Sequence, residues 1–84
     1  MKTEPEDNAD ERARKARRAI GSKIRQLREK KGWSQRDFAA VCGCHRSYVG
    51  QVERGETNVT LSTLALFAGR LNSERYANHR SYGV

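Results

Sequence analysis

The stretch QRDFAAVCGCHRSYVGQVER, Gln35 to Arg54, decides the fold. Phe38, Ala39 and Cys42 are spaced i, i+1, i+4 and share one face of a helix. Gly43 follows, the residue type that accepts the positive φ needed to end a helix sharply. Val49 and Val52 are spaced i, i+3 and give a second short helix an apolar inner stripe. The rest of that second helix is Arg46, Ser47, Tyr48, Gln51 and Arg54, all capable of hydrogen bonding. Two such helices, joined by a tight turn in a basic chain, present the kind of surface that a DNA major groove accepts.

Working outward, Ile20, Ile24 and Leu27 continue a helical stripe begun by Ala9, Ala13 and Ala16. The stripe is only alanine before Ile20, so a packed helix is expected from about Arg18 to Lys31, with an optional N-terminal extension. Gly32 stops it, and Trp33, the single tryptophan, falls at the corner as a core-edge residue. Ser34 with Asp37 three residues on marks the start of the next helix, about Gln35 to Cys42. A third helix spans about Arg46 to Arg54, with Gly55 as its stop. Thr60 caps a fourth, Leu61 to about Leu71, whose Leu61, Leu64, Ala65, Phe67, Ala68 and Leu71 form a wide apolar face. That face is expected to pack on the first and third helices. Asn72 and Ser73 offer a cap for a short fifth helix around Tyr76. The acidic residues 1–8 read as disordered, and Asn8 with Glu11 reads as a capping box. The expected fold class is all-α, a compact bundle of about five short helices.

A chain of 84 residues implies one domain. Its parts are an acidic-then-basic arm over 1–17, a DNA-binding domain over 18–71, and a C-terminal tail over 72–84. The net charge is +7 but uneven. In residues 1–11 one lysine faces five acids, which leaves −4, so the remainder carries +11. A basic body of that size is an electrostatic footprint for polyanions. The run RARKARR, Arg12 to Arg18, has two readings, a solvated helical face or an arm contacting phosphate or the minor groove. No apolar run approaches membrane-spanning length, and the N-terminus lacks an apolar signal segment. A cytoplasmic protein with no membrane partner is expected. Cys42 and Cys44 are expected to be packed thiols, since a C-x-C pair is narrower than usual zinc spacings. No metal and no cofactor are expected. An enzyme is not expected either: there is no credible nucleophile–base set and no glycine-rich phosphate loop.

The chain resembles the Cro/cI-type, or xenobiotic-response-element, helix-turn-helix regulators. The residues that carry the resemblance are Ile20, Gly21, Ile24, Leu27 and Arg28, then Gly32-Trp33-Ser34-Gln35, Phe38-Ala39 and Gly43. They continue through Val49, Val52-Glu53-Arg54-Gly55, Asn58, Thr60-Leu61, Leu64 and Leu71, so the likeness covers roughly residues 18 to 71. The stretch around ERGE-N-VT is most similar to small phage-type repressors and restriction–modification controller proteins. The resemblance implies a lambda-repressor-like DNA-binding domain that acts as a homodimer on double-stranded DNA to regulate transcription. By motif position it puts Arg46, Ser47, Gly50 and Gln51 at base edges. Arg46 can fork onto guanine O6/N7, Gln51 can pair with adenine N6/N7, and Ser47 can take either kind of partner. Gly50 would let the helix approach the groove. For the DNA backbone the resemblance implies Gln35, Arg54, Asn58 and Thr60. His45 reads as a cap or a phosphate contact, and Tyr48 as a DNA contact or a partly buried ring. Arg28 and Glu53 are implied as a structural ion pair tying the first helix to the recognition helix.

An alternative function is that of an antitoxin that binds a partner protein and autoregulates its operon. The segment Asn72 to Val84 departs from the family, in which a fifth helix with large apolar residues often builds the dimer surface. A small, weak dimer surface is expected here, from the end of the fourth helix (Phe67, Leu71) and Tyr76, with Tyr82 and Val84 beyond.

Overall fold

A computed structural model describes the backbone of residues 4–73 and the side chains of residues 8–73. Four helices follow one another: α1 (Glu4–Lys30), α2 (Gln35–Cys42), α3 (Arg46–Glu53) and α4 (Leu61–Asn72). No strand occurs among the described residues. The all-α class is as expected, with four helices in the described part. The expected fifth helix at Tyr76, and Tyr82 and Val84 with it, lie outside the described residues.

Helix α1 is about 40 Å long at 1.5 Å per residue, and its inner half alone joins the bundle. Ile24 is buried, Ile20 and Leu27 half-buried, whereas residues 8–16 are all exposed. The helix begins at Glu4, so the disorder expected for residues 4–8 is not seen and Asn8 lies inside the helix, where it caps nothing. Alanine, arginine and glutamate are strong helix formers, and they carry the helix outward without packing partners.

The turns follow local chemistry. Gly32, at φ 78°, ends α1. Ser34 Oγ then accepts from the Asp37 backbone N–H while the Asp37 carboxylate accepts from Ser34 N–H, both at 3.0 Å, forming the expected capping box. At the other end of α2, Gly43 adopts φ 73°. The Cys44 N–H reaches back to the Ala39 carbonyl at 2.9 Å and the Gly43 N–H to Ala40 at 3.3 Å, which satisfies carbonyls the helix leaves free. Thr60 caps α4, its hydroxyl accepting from the Thr63 N–H.

The core is Ile24, Trp33, Phe38, Ala39, Cys42, Val49, Val52, Phe67 and Leu71. Phe38 is wholly buried at its centre. Trp33 stacks on it at 5.9 Å between centroids, and Phe67 meets it edge-on at 4.9 Å. Lys31 Nζ lies 5.2 Å above the Trp33 ring, and the buried indole Nε1 has no hydrogen-bond acceptor among the described residues.

Helix α4 departs from expectation. It packs on α1 and α2, and reaches α3 through the Tyr48–Phe67 ring contact at 6.3 Å. Phe38 fills the bundle centre from α2 and draws Phe67 toward it. The apolar face is correspondingly narrow. Phe67 and Leu71 are buried and Leu64 half-buried, but Ala65 and Ala68 are exposed and Leu61 is 84% exposed. Phe67 and Leu71 pack into the core, and Leu71 also lines an apolar groove between α1 and α4 with Ile20, Leu27, Leu64 and Ala68.

Gly21 fixes how closely α1 crosses α3. A methyl group there would overlap the Val52 carbonyl oxygen and lie 2.5 Å from that of Glu53. Only glycine permits this backbone-to-backbone approach at the C-terminal end of α3.

Candidate nucleic-acid interface

Helix α3 is divided by its own register. Val49 and Val52 are essentially inaccessible, whereas Arg46, Ser47 and Gln51 are exposed. These three lie together on one side of the molecule. His45 occupies the N-cap position, exposed and without a side-chain capping bond. The first-turn N–H groups of α3 therefore have no side-chain cap, and unsatisfied donors at a helix N-terminus attract anions. Tyr48 is half-buried, its ring against Phe67.

The orientation of α3 is set by a buried polar cluster. Arg28 donates to Glu53 through Nε (2.6 Å to Oε2) and Nη2 (3.0 Å to Oε1), a bidentate pair. Its Nη1 donates to the Trp33 carbonyl at 2.8 Å. Gln35 Nε2 adds a third donor to Glu53, 3.0 Å from Oε1. The hydrogen bonding to Glu53 outweighs the opposing effect of burial and raises the Arg28 pKa above the ordinary arginine value. The cluster joins the end of α1, the start of α2 and the end of α3 through one carboxylate.

The remaining backbone candidates lie near this cluster or after α3. The Gln35 amide, implied by resemblance as a phosphate anchor, is engaged with Glu53 at the rim of the exposed face. Gly50 is buried under it. A methyl there would lie 3.0 Å from Arg54 Nη1 and 3.6 Å from Gln35 Oε1, so the missing side chain makes room for those two groups. Arg54 is exposed and paired with Glu56 at 2.9 and 3.1 Å. Their hydrogen bonds raise the Arg54 pKa and lower that of Glu56. Asn58 is exposed, with Oδ1 accepting from Arg17 Nη1 at 3.3 Å. The Thr60 hydroxyl is committed to the cap of α4.

Two cations near this face add to the sequence reading: Arg36, which it did not single out, and Arg17, which it placed in the RARKARR run. Arg36 of α2, with Ala39, Ala40, Cys44, His45 and Arg46, lines a shallow depression of about 350 Å³. Its signal was available, since position 36 lies within the Ser34–Asp37 capping box, in the exposed first turn of α2. Arg17 meets Gly55 and Asn58, 38 and 41 residues away, a contact with no local signature. Among the described residues, no group of three or more His, Cys, Asp or Glu could hold a metal. Cys42 is buried and Cys44 half-buried, both as free thiols. No helix among the described residues is long and apolar enough to cross a membrane.

Comparison with known proteins fits this architecture. A family model described as helix-turn-helix matches residues 24–76. The control protein C.SmaI of Serratia marcescens is 44% identical over 54 residues, 64% of both chains. The control protein C.BamHI of Bacillus amyloliquefaciens is 41% identical over 46 residues, 54% of this chain and 57% of its own. The HTH-type transcriptional regulator SutR of Escherichia coli is 36% identical over 55 residues, 66% of this chain but 31% of its own. The chain thus spans less than two thirds of the length of these curated relatives. Helix order, turn chemistry and the match over residues 24–76 converge: this chain belongs to the Cro/cI-type helix-turn-helix family of DNA-binding regulators.

Proposed function

We propose that the chain is a sequence-specific, double-stranded-DNA-binding transcriptional regulator that acts in the cytoplasm as a homodimer, with α3 lying in the major groove. The observation that carries this is the two-sided character of α3. Val49 and Val52 anchor one side in the core. Arg46, Ser47 and Gln51 stand free on the other, beside an N-terminus with no side-chain cap.

In this reading Arg46 and Gln51 read base edges and Ser47 supplements them. Gln35, His45, Arg54 and Asn58 lie at the rim and position the helix on phosphates. Tyr48 contributes its hydroxyl end while its ring stays on Phe67. The Arg28–Glu53–Gln35 cluster holds the angle at which α3 is presented. Two of the relatives are named control proteins, which fits a regulatory role.

One recognition helix reads only a few base pairs, so two copies on two half-sites supply the specificity that one lacks. Selection of bound sequences from random duplex DNA tests the reading. It should return two related half-sites with centres about one helical turn, roughly 10 bp, apart. A site without repeat symmetry, or a single copy bound per site, would refute the dimeric part. Absence of any sequence preference would refute the whole.

A further inference from the structure

The outer half of α1 leaves the bundle beside the loop that follows α3. Arg17 Nε approaches the Gly55 carbonyl at 3.4 Å, and its Nη1 donates to Asn58. Arg18 packs on Gly55, where an added methyl would lie 2.7 Å from Arg18 Cγ. Beyond these two residues α1 continues outward with every side chain from 8 to 16 exposed.

Helical geometry orders the cations on that projection. Arg14, Arg17 and Arg18 are spaced i, i+3, i+4 and share one face. Arg17 and Arg18 already touch the 55–58 loop, so Arg14 continues the same side one turn outward. Arg12 is two residues from Arg14, about 200° around the helix, and points away. Arg14 pairs with Glu11 at 3.5 Å, with both side chains about half exposed. An exposed pair of this kind is worth little and exchanges readily for a phosphate.

We propose that Arg14, Arg17 and Arg18 form a second phosphate-contacting track, continuous with Arg54 and Asn58, which grips the DNA backbone beside the groove that α3 enters. This rests on the DNA-binding reading and adds to it a contact surface outside the helix-turn-helix. The track carries no base-reading group. It adds affinity on every sequence and leaves the preference to Arg46 and Gln51. Asp10 and Glu11 lie further out on the same helix and mark where the track ends.

The test uses the full chain and a duplex carrying its selected site, with a random duplex alongside. Arg14→Gln changes an exposed residue whose ion pair, with Glu11, is itself half exposed. It should lower the slope of log affinity against log salt by about 0.9 and weaken binding about 3- to 10-fold near 0.15 M salt. The loss should be equal on selected and random duplexes. Arg12→Gln removes the same charge from the opposite face and should leave the slope unchanged. Arg18→Gln should match Arg14→Gln, with circular dichroism confirming that the fold is retained. An unchanged slope for Arg14→Gln, equal losses for Arg12→Gln and Arg14→Gln, or a changed base preference would each overturn the track. If the wild-type chain binds no duplex, the DNA-binding reading falls as well, which distinguishes the two failures.

Discussion

Replacing Glu53 by Leu gives the sharpest test of how this domain is held together. The Glu53 side chain is 3% exposed and that of Arg28 9%. Glu53 accepts three hydrogen bonds, two from Arg28 and one from Gln35. Its removal leaves the Arg28 guanidinium with the Trp33 carbonyl and only a distant 4.0 Å approach to Glu29. Breaking a buried pair from one side costs about 3–5 kcal/mol, because the surviving charge is left uncompensated. An exposed pair would cost no more than about 1 kcal/mol. At about 0.05–0.15 kcal/mol per residue, the whole chain has roughly 4–13 kcal/mol of stability. The substitution should therefore remove a large share of it and lower Tm by at least about 12 °C, at about 4 °C or more per kcal/mol for a domain of this size. Urea and thermal unfolding followed by far-UV circular dichroism would measure it for E53L, R28M and the double variant. The double variant removes the uncompensated charge and should be clearly more stable than E53L. A loss below about 1 kcal/mol for E53L, or a double variant as unstable as the two single losses added, would refute the argument.

Gly21→Ala should cost about 1–3 kcal/mol or more by forcing α1 off the Val52 and Glu53 carbonyls, read as a lower urea midpoint. Arg46→Ala or Gln51→Ala should each weaken binding by about 1–3 kcal/mol and relax preference at one position per half-site, while Gln35→Ala weakens all sequences alike; competition binding across a site library separates the two. Burial pushes the Cys42 thiol up to about 12, with Cys44 adding to the shift and Arg70 opposing it. Because the folded pKa lies above the ordinary thiol value near 9, this contribution is intact below pH 9 and is lost as pH rises toward 12. Alkaline unfolding should ease in that window for Cys42→Ser relative to wild type, and alkylation near pH 8 should reach Cys44 well before Cys42.

The legible part of the fold was the part governed by neighbours in sequence. The Ser34–Asp37 box, Gly43 and Thr60 each act within four residues, and the bounds of α2 and the start of α3 and α4 follow from them. The buried faces of α2 and α3 were legible because their apolar residues are few and correctly spaced. Helix α4 was misjudged because a helical wheel records which residues align, not how wide a groove awaits them; Leu61 aligns with the core residues but projects past the bundle. The start of α1 was misjudged because Asn8 is a good cap only where a helix must begin, and the residues before it sustain one. In the interface, exposure of Arg46, Ser47 and Gln51 followed from register. The engagement of Gln35 with Glu53, 18 residues away, and of Arg17 with Asn58 depends on tertiary closure and leaves no periodic trace.

The Trp33 indole makes the molecule its own optical gauge. It is the single fluorophore of its kind in the chain, 3% exposed and stacked on Phe38, with its ring nitrogen lacking an acceptor among the described residues. Such a buried, stacked setting favours blue-shifted emission, and release into water shifts it red. The ring also sits where its backbone carbonyl receives Arg28, at the joint between the first helix and the helix-turn-helix. Its emission colour therefore reports opening of the core at that joint, so loosening there can be watched in solution without attaching a label.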